Sequence, residues 1–229
     1  MTKLLTIALD GPAGAGKSTI ARRLARELDI LYLDTGAMYR AVGLKALRQG
    51  ISVRSEADIA KMLDETRMDI VFDNKEQHIL LDGEDVSELI RTPQVSLAAS
   101  DVSALPVVRL KLVELQREIA ARQPLILDGR DIGSYVLPDA RCKFFLTASE
   151  DERARRRLHD LRARGDQQST FEAIKQDITY RDRQDSQRSL APLCQAADAI
   201  LVDTTEMTID EVVAAILNDI RQVQNEPES

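Results

Sequence analysis

Residues 11–18 read Gly11-Pro12-Ala13-Gly14-Ala15-Gly16-Lys17-Ser18 and fit the pattern G-x-x-x-x-G-K-[ST]. Glycines at this spacing let the backbone turn so that successive N–H groups point at phosphate oxygens. A helix beginning at the end of the loop adds its positive N-terminal dipole. Lys17 then reaches the β and γ phosphates, the Ser18 hydroxyl offers an oxygen ligand to Mg²⁺, and Thr19 opens the helix beside them. The chemistry implied is the holding of a nucleoside triphosphate, ATP with magnesium.

Such a loop works only between a strand and a helix, and the flanks supply both. Leu4 to Leu9 is a short apolar run ending at Asp10, and Ile20, Ala21, Leu24, Ala25 and Leu28 repeat at helical spacing. Further strands are predicted at Ile30 to Leu33, Pro124 to Leu127, Lys143 to Leu146 and Ala199 to Val202, the second and last ending at Asp128 and Asp203. Helices are predicted over 37–48, 55–66, 95–105, 107–122, 149–164 and 208–223, and Asn225 to Ser229 reads as a fraying end. Met68 to Phe72 and His78 to Leu81 flank the polar turn Asp73-Asn74-Lys75-Glu76 and predict a β-hairpin, with Asp82-Gly83 as a further turn. Five apolar strands alternating with helices predict an α/β fold, a five-stranded parallel sheet covered on both faces, with a small inserted β subdomain over about 64–92.

Composition narrows the function classes. The chain has 229 residues, two cysteines, two histidines and a net charge of −7. Cys142 and Cys194 are too far apart for a CxxC motif, and with His78 and His159 they leave little from which to build a zinc site or a Ser-His-Asp triad. The acidic balance argues against a nucleic-acid binder, while arginines crowd 153–164 and 181–188, which suits a small polyphosphate. No apolar run approaches a membrane span and the first ten residues do not read as a signal peptide, so a cytoplasmic protein without a membrane partner is expected, and one compact domain predicts a monomer.

Several further segments carry a resemblance: Asp10 to Ser18, Leu33-Asp34-Thr35-Gly36-Ala37-Met38-Tyr39-Arg40, Asp128-Gly129-Arg130-Asp131-Ile132-Gly133 and Pro138-Asp139-Ala140. Glu152-Arg153-Ala154-Arg155-Arg156-Arg157, Arg181-Asp182-Arg183-Gln184-Asp185, Ala191-Pro192-Leu193 and Ala197-Asp198 complete the set. Together they resemble the bacterial cytidylate kinases, of the adenylate-kinase-like group of nucleoside monophosphate kinases, over nearly the whole chain. The hairpin region is similar to the insertion of the long bacterial form. Thr35 stands where some members have serine, a swap that keeps the hydroxyl. The resemblance implies a P-loop kinase fold with a helical lid and Mg-dependent transfer of the γ-phosphoryl group of ATP to CMP or dCMP, in pyrimidine nucleotide metabolism. It divides the chain into a core (about 1–34, 107–148 and 190–225), a monophosphate-binding region (about 35–106) and a lid (about 150–185).

Phosphoryl transfer to a monophosphate needs no general base, because the acceptor is already anionic, with a second pKa of about 6. It needs cations that hold two polyanions together away from water, and arginine suits this because its fork matches phosphate oxygens. Arg40 and Arg130 each follow a glycine-containing turn near a predicted strand end and are the candidates for the acceptor phosphate. Ser149 and Glu152 form a capping-box pattern; after it Arg153, Arg157 and Arg164 share one helix side, with Arg156 nearby, beside a stripe of Ala154, Leu158 and Leu161. The resemblance turns Arg153 and Arg157 toward the ATP phosphates. Arg181, Asp185 and Arg188 share a face if a helix persists there, and the resemblance gives Arg181 and Asp185 to the acceptor ribose and Arg188 to the transfer site. It also places Thr35, Tyr39 and Gly129 in the CMP site, and Asp131 on the base edge with Ser100 and Arg109. A carboxylate there accepts from the cytosine amine and would face a second acceptor in uracil.

Two other functions share the phosphate loop: a kinase for a different small acceptor, and a P-loop switch that hydrolyses its nucleotide. A guanine reader of the form N-K-x-D is missing, since Asn74-Lys75 is followed by Glu76-Gln77.

Overall fold

The computed structural model describes residues 4–163 and 165–225. Arg164, expected beside Arg153 and Arg157, and residues 226–229 of the expected frayed end lie outside the described residues, while Asn225 closes the last helix.

The central sheet is five-stranded and parallel throughout. Its strands are β1 (Thr6–Asp10), β2 (Leu31–Asp34), β6 (Leu125–Asp128), β7 (Cys142–Thr147) and β8 (Ile200–Asp203), in the order β2-β6-β1-β7-β8. Alternate residues face opposite sides. Ile7, Leu9, Ile126 and Phe144 pack with Leu24 of α1 (Lys17–Glu27) and with Ile216 and Ile220 of α8 (Ile209–Asn225). Ala8, Leu33, Leu125 and Leu127 pack on the other side with Met38 and Val42 of α2 (Thr35–Arg48), Val102 of α4 (Pro93–Ser103) and Leu112 of α5 (Pro106–Ala120). Burial of each such aliphatic side chain is worth about 1.5–3 kcal/mol, so two packed faces hold the strand ends in fixed register. Four of the five strands end on an aspartate: Asp10, Asp34, Asp128 and Asp203.

Local chemistry sets the helix starts. Asp34 caps α2 by accepting from the Ala37 amide at 2.9 Å, and Thr92, followed by Pro93, caps α4 through the Val95 amide at 3.2 Å. Before α6 (Glu150–Ala163) only half of the expected capping box forms. The Glu152 amide donates to Ser149 Oγ at 3.3 Å, but the Glu152 carboxylate turns to Arg155 and Arg156, which outbid the single backbone N–H it would otherwise reach.

The inserted region is a three-stranded antiparallel sheet: β3 (Met68–Asp73), β4 (Glu76–Leu81) and the short β5 (Glu84–Asp85), following α3 (Glu56–Asp64). The hairpin turn is tighter than the sequence suggests, because Asn74 and Lys75 both take positive φ (48° and 66°), the geometry of a two-residue turn matched to strand twist. The helix required by the Arg181 and Asp185 spacing is α7 (Phe171–Gln187), whose Ile174 and Ile178 pack on Ala154, Leu158 and Leu161 of α6. It ends one residue before Arg188, which has extended backbone at φ −65° and ψ 144°. Among the described residues no helix is long and apolar enough to cross a membrane.

Candidate active site

The carboxyl ends of the strands open into a cleft of about 750 Å³ between the phosphate loop, α4 and the α6–α7 pair. The loop sits close against β7: a Cβ on Gly11 would collide with the Leu146 carbonyl oxygen, and its φ of 146° is one that only glycine adopts freely. Gly16, at φ 85°, turns the chain into α1, whose first residue is Lys17. Lys17 is 6% exposed and donates to the Pro12 carbonyl at 2.8 Å. Burial and the nearby Arg130 lower its pKa to about 7, against the pull of Asp128, Asp10 and Asp185. Ser18 Oγ donates to Asp128 Oδ2 at 2.9 Å, and Tyr32 holds the other oxygen of Asp128 at 2.8 Å.

Asp128 lies beside Asp34 in strand register. Burial, and then the Asp34 charge, raise its pKa. Burial raises Asp10 to about 6, although its carboxylate accepts from the amides of Ile132 (2.8 Å) and Gly133 (2.7 Å). A serine hydroxyl adjoining a carboxylate, next to the loop lysine, is a pair of hard oxygen donors of the kind magnesium takes. The sequence singles out Ser18 here but not Asp128, whose place is signalled by an aspartate ending β6, the strand beside β1.

Opposite the loop, alternating charges run across the cleft wall. Arg109 pairs with Asp131 Oδ2, Arg188 with Asp131 Oδ1 at 3.0 Å, and Arg130 with Asp185 at 2.7 Å. Arg188 also stands 3.5 Å from Asp185. Burial, then the two arginines acting against it, leave Asp131 with a raised pKa. Arg109 is fully buried over the Tyr39 ring (5.7 Å), yet its Nε and Nη1 have no partner; Ser100 Oγ is buried and unpartnered as well. Arg40 is held by Asp34 at 2.7 Å while its Nε is buried without a partner. Thr35 Oγ1 donates to the Asp128 carbonyl at 2.7 Å, and Gly129 leaves no room for a side chain beside Ile132 and Thr35.

Nearly all residues expected at the site line this one cleft: Ala13, Gly14, Ala15, Gly16, Lys17, Ser18 and Thr19 of the loop, with Thr35, Tyr39, Arg40, Ser100, Arg109, Gly129, Arg130, Asp131, Arg157, Arg181, Asp185 and Arg188. Arg181 is tied to Asp177 at 2.9 Å. Gly11 and Pro12 do not line the cleft, although the Pro12 carbonyl accepts from Lys17. Arg153 stands apart from the expectation of a phosphate-facing side chain. It is 5% exposed and donates to the carbonyls of Ala13 (2.8 Å) and Ala148 (3.0 Å) and to Asp182. Asp182 in turn accepts from the Ala13 amide at 2.9 Å. Arg156, expected only nearby, binds Thr204 through its hydroxyl (2.9 Å) and carbonyl (2.6 Å).

A phosphate loop after the central strand of a five-stranded parallel sheet, roofed by two packed helices, defines a P-loop kinase. The chain matches the cytidylate kinase family profile over residues 7–222. It is 51% identical to the cytidylate kinase of Desulfitobacterium hafniense (strain Y51), covering 95% of this chain and 93% of that one. It is 52% identical to the cytidylate kinase of Carboxydothermus hydrogenoformans, over 94% and 97% of the two chains. A gluconokinase from Sinorhizobium meliloti 1021 shares the fold, with a TM-score of 0.50, 14% identity and 98% and 97% coverage. The chain belongs to the cytidylate kinase family and is a nucleoside monophosphate kinase.

Proposed function

We propose that this kinase transfers the γ-phosphoryl group of ATP to CMP or dCMP, giving ADP and CDP or dCDP, with Mg²⁺, as a cytoplasmic monomer that engages neither nucleic acid nor membrane. The observation that carries the acceptor assignment is the set of unpartnered buried polar atoms on Arg109 and Ser100 beside Asp131. Leaving such atoms unpaired costs about 1–3 kcal/mol each, a cost that a polar ligand removes. A cytosine ring offers matching chemistry: its amine donates to Asp131, and its N3 and carbonyl accept from arginine and hydroxyl donors.

The remaining residues take roles in order along the cleft. Residues 13–19 hold the ATP phosphates, with Lys17 recovering its proton against the phosphate oxygens. Arg40 and Arg130 hold the acceptor phosphate, with the unpartnered Arg40 Nε as one donor. Arg181 and Asp185 hold the ribose, Arg188 sits between the base and transfer sites, and Arg157 faces the donor phosphates from the lid. Ser18 and Asp128 supply the protein oxygens near Mg²⁺, whose charge, when bound, offsets that developing on the transferred group. The acceptor oxygen attacks in line, and the arginines stabilise charge without moving a proton.

Replacing Asp131 by Asn keeps the shape but loses the carboxylate. Asp131→Asn is expected to lower kcat/KM for CMP relative to UMP by roughly tenfold or more, with the ATP KM within about twofold of wild type. An unchanged CMP/UMP ratio would remove Asp131 from base reading.

A further inference from the structure

The inserted sheet contributes no side chain to the cleft wall, since none of the lining residues lies between Arg40 and Ser96. It nevertheless touches the main sheet at a definite place. β2 is an edge strand, paired only with β6, so one side of its backbone needs a partner from elsewhere. The Gln77 side chain on β4 supplies it: the Asp34 amide donates to Gln77 Oε1 at 2.7 Å, and Gln77 Nε2 donates to the Asp34 carbonyl at 3.3 Å. One side-chain amide thereby replaces one rung of a missing neighbouring strand. At the other end of β2, Lys75 in the hairpin turn donates to the Asp29 carbonyl at 3.2 Å.

Asp34 is also where β2 becomes α2. Its carboxylate caps α2 through the Ala37 amide and holds Arg40 Nη2 at 2.7 Å, leaving Arg40 Nε buried without a partner. The position of Arg40 therefore depends on Asp34, and the backbone of Asp34 is pinned by Gln77. We infer that Gln77 is a positioning residue for the acceptor-phosphate site: through the Asp34 backbone, the inserted sheet fixes the Asp34 carboxylate and with it the Arg40 guanidinium. This rests on the reading of Arg40 as an acceptor-phosphate ligand.

The test uses the full chain with Gln77→Met, which keeps the side-chain length but removes both hydrogen bonds. Two readouts separate the link from the function. In amide exchange followed by NMR, the Asp34 N–H is expected to exchange roughly tenfold faster in Gln77→Met, with amides of β1 unchanged. In steady-state kinetics the CMP KM is expected to rise roughly three- to tenfold, with kcat and the ATP KM within about twofold, as for one or two lost hydrogen bonds. In an Arg40→Met background, Gln77→Met should add no further rise, because its effect passes through Arg40. Unchanged Asp34 exchange, equal rises in both KM values, or effects that multiply in the double variant would each overturn the inference. Should Gln77→Met not fold, Gln77→Glu, which sets a second acceptor against the Asp34 carbonyl, must raise the CMP KM alone or the inference fails. A wild type that makes no ADP with CMP would sink the functional reading by itself, and the Asp34 exchange arm would still decide whether the Gln77 link exists.

Discussion

Lys17 is held almost without water, with Arg130 as a competing positive charge, and its pKa is lowered to about 7. Phosphate oxygens arriving beside it favour the charged form, so its pKa rises on nucleotide binding. The sign follows from linkage: between about 7 and the usual lysine value near 10.5, the free protein has lost a proton that the complex holds. Nucleotide binding should therefore take up protons in that window, and affinity should weaken as pH rises above about 7. Calorimetry at pH 8, in buffers of different ionisation enthalpy, is expected to show this uptake for wild type and not for Lys17→Met; equal proton counts would mean that Lys17 does not change charge. Asp131 sits between the buried Arg109 and Arg188. Asp131→Asn removes its charge but keeps an acceptor oxygen and the side-chain volume beside them, whereas Asp131→Ala would remove those as well, so Asn is the smaller perturbation with which to probe base reading.

At the scale of elements, α6 and α7 are fastened to the phosphate loop by one carboxylate. Asp182 of α7 accepts from the Ala13 amide and from Arg153 of α6, and Arg153 reaches the Ala13 carbonyl. Asp182→Asn weakens both charge-assisted bonds without changing volume. The ATP KM is expected to rise roughly tenfold while the CMP KM changes by about twofold or less; parallel changes in both would show that the fastening does not belong to the donor side. Little of this was legible in the sequence, because Ala13 and Asp182 lie 169 residues apart. What was legible is local. The run of Leu4 to Leu9, the glycine pattern and the helical repeat after Ser18 are read within one turn or strand; the loop and α1 form as expected, and the strand forms over Thr6–Asp10, two residues later than the apolar run begins. α7 signals itself more faintly, with Phe171, Ile174 and Ile178 as a narrow stripe among polar residues, since its apolar cluster is a small one shared with α6. Helix phase puts Arg153 on one side with Arg157, and the resemblance turns that side to the ATP phosphates; neither reveals that the loop's own Ala13 carbonyl and Asp182 occupy the Arg153 guanidinium.

At the scale of the molecule, a chain of net charge −7 gathers Arg40, Arg109, Arg130, Arg157, Arg181 and Arg188 around one cleft. Asp34 at the end of β2, Asp131 in the loop after β6 and Asp185 of α7 hold Arg40, Arg109 and Arg130 in place. The sheet supplies a rigid floor, α4 and α5 bring Ser100 and Arg109, and the α6–α7 pair lies over the loop, so the loop and the arginine-lined wall face one cleft. This is the arrangement of a two-substrate transfer, and acceptor dependence is its central claim. The most direct measurement is ADP formation from MgATP with CMP, dCMP, UMP, AMP, GMP or no acceptor at equal concentrations, with Lys17→Ala as control. Rates with CMP and dCMP are expected to be at least about a hundredfold above the acceptor-free rate and to be lost in Lys17→Ala. Equal ADP formation without any acceptor would contradict acceptor dependence and make the cleft a site of nucleotide hydrolysis.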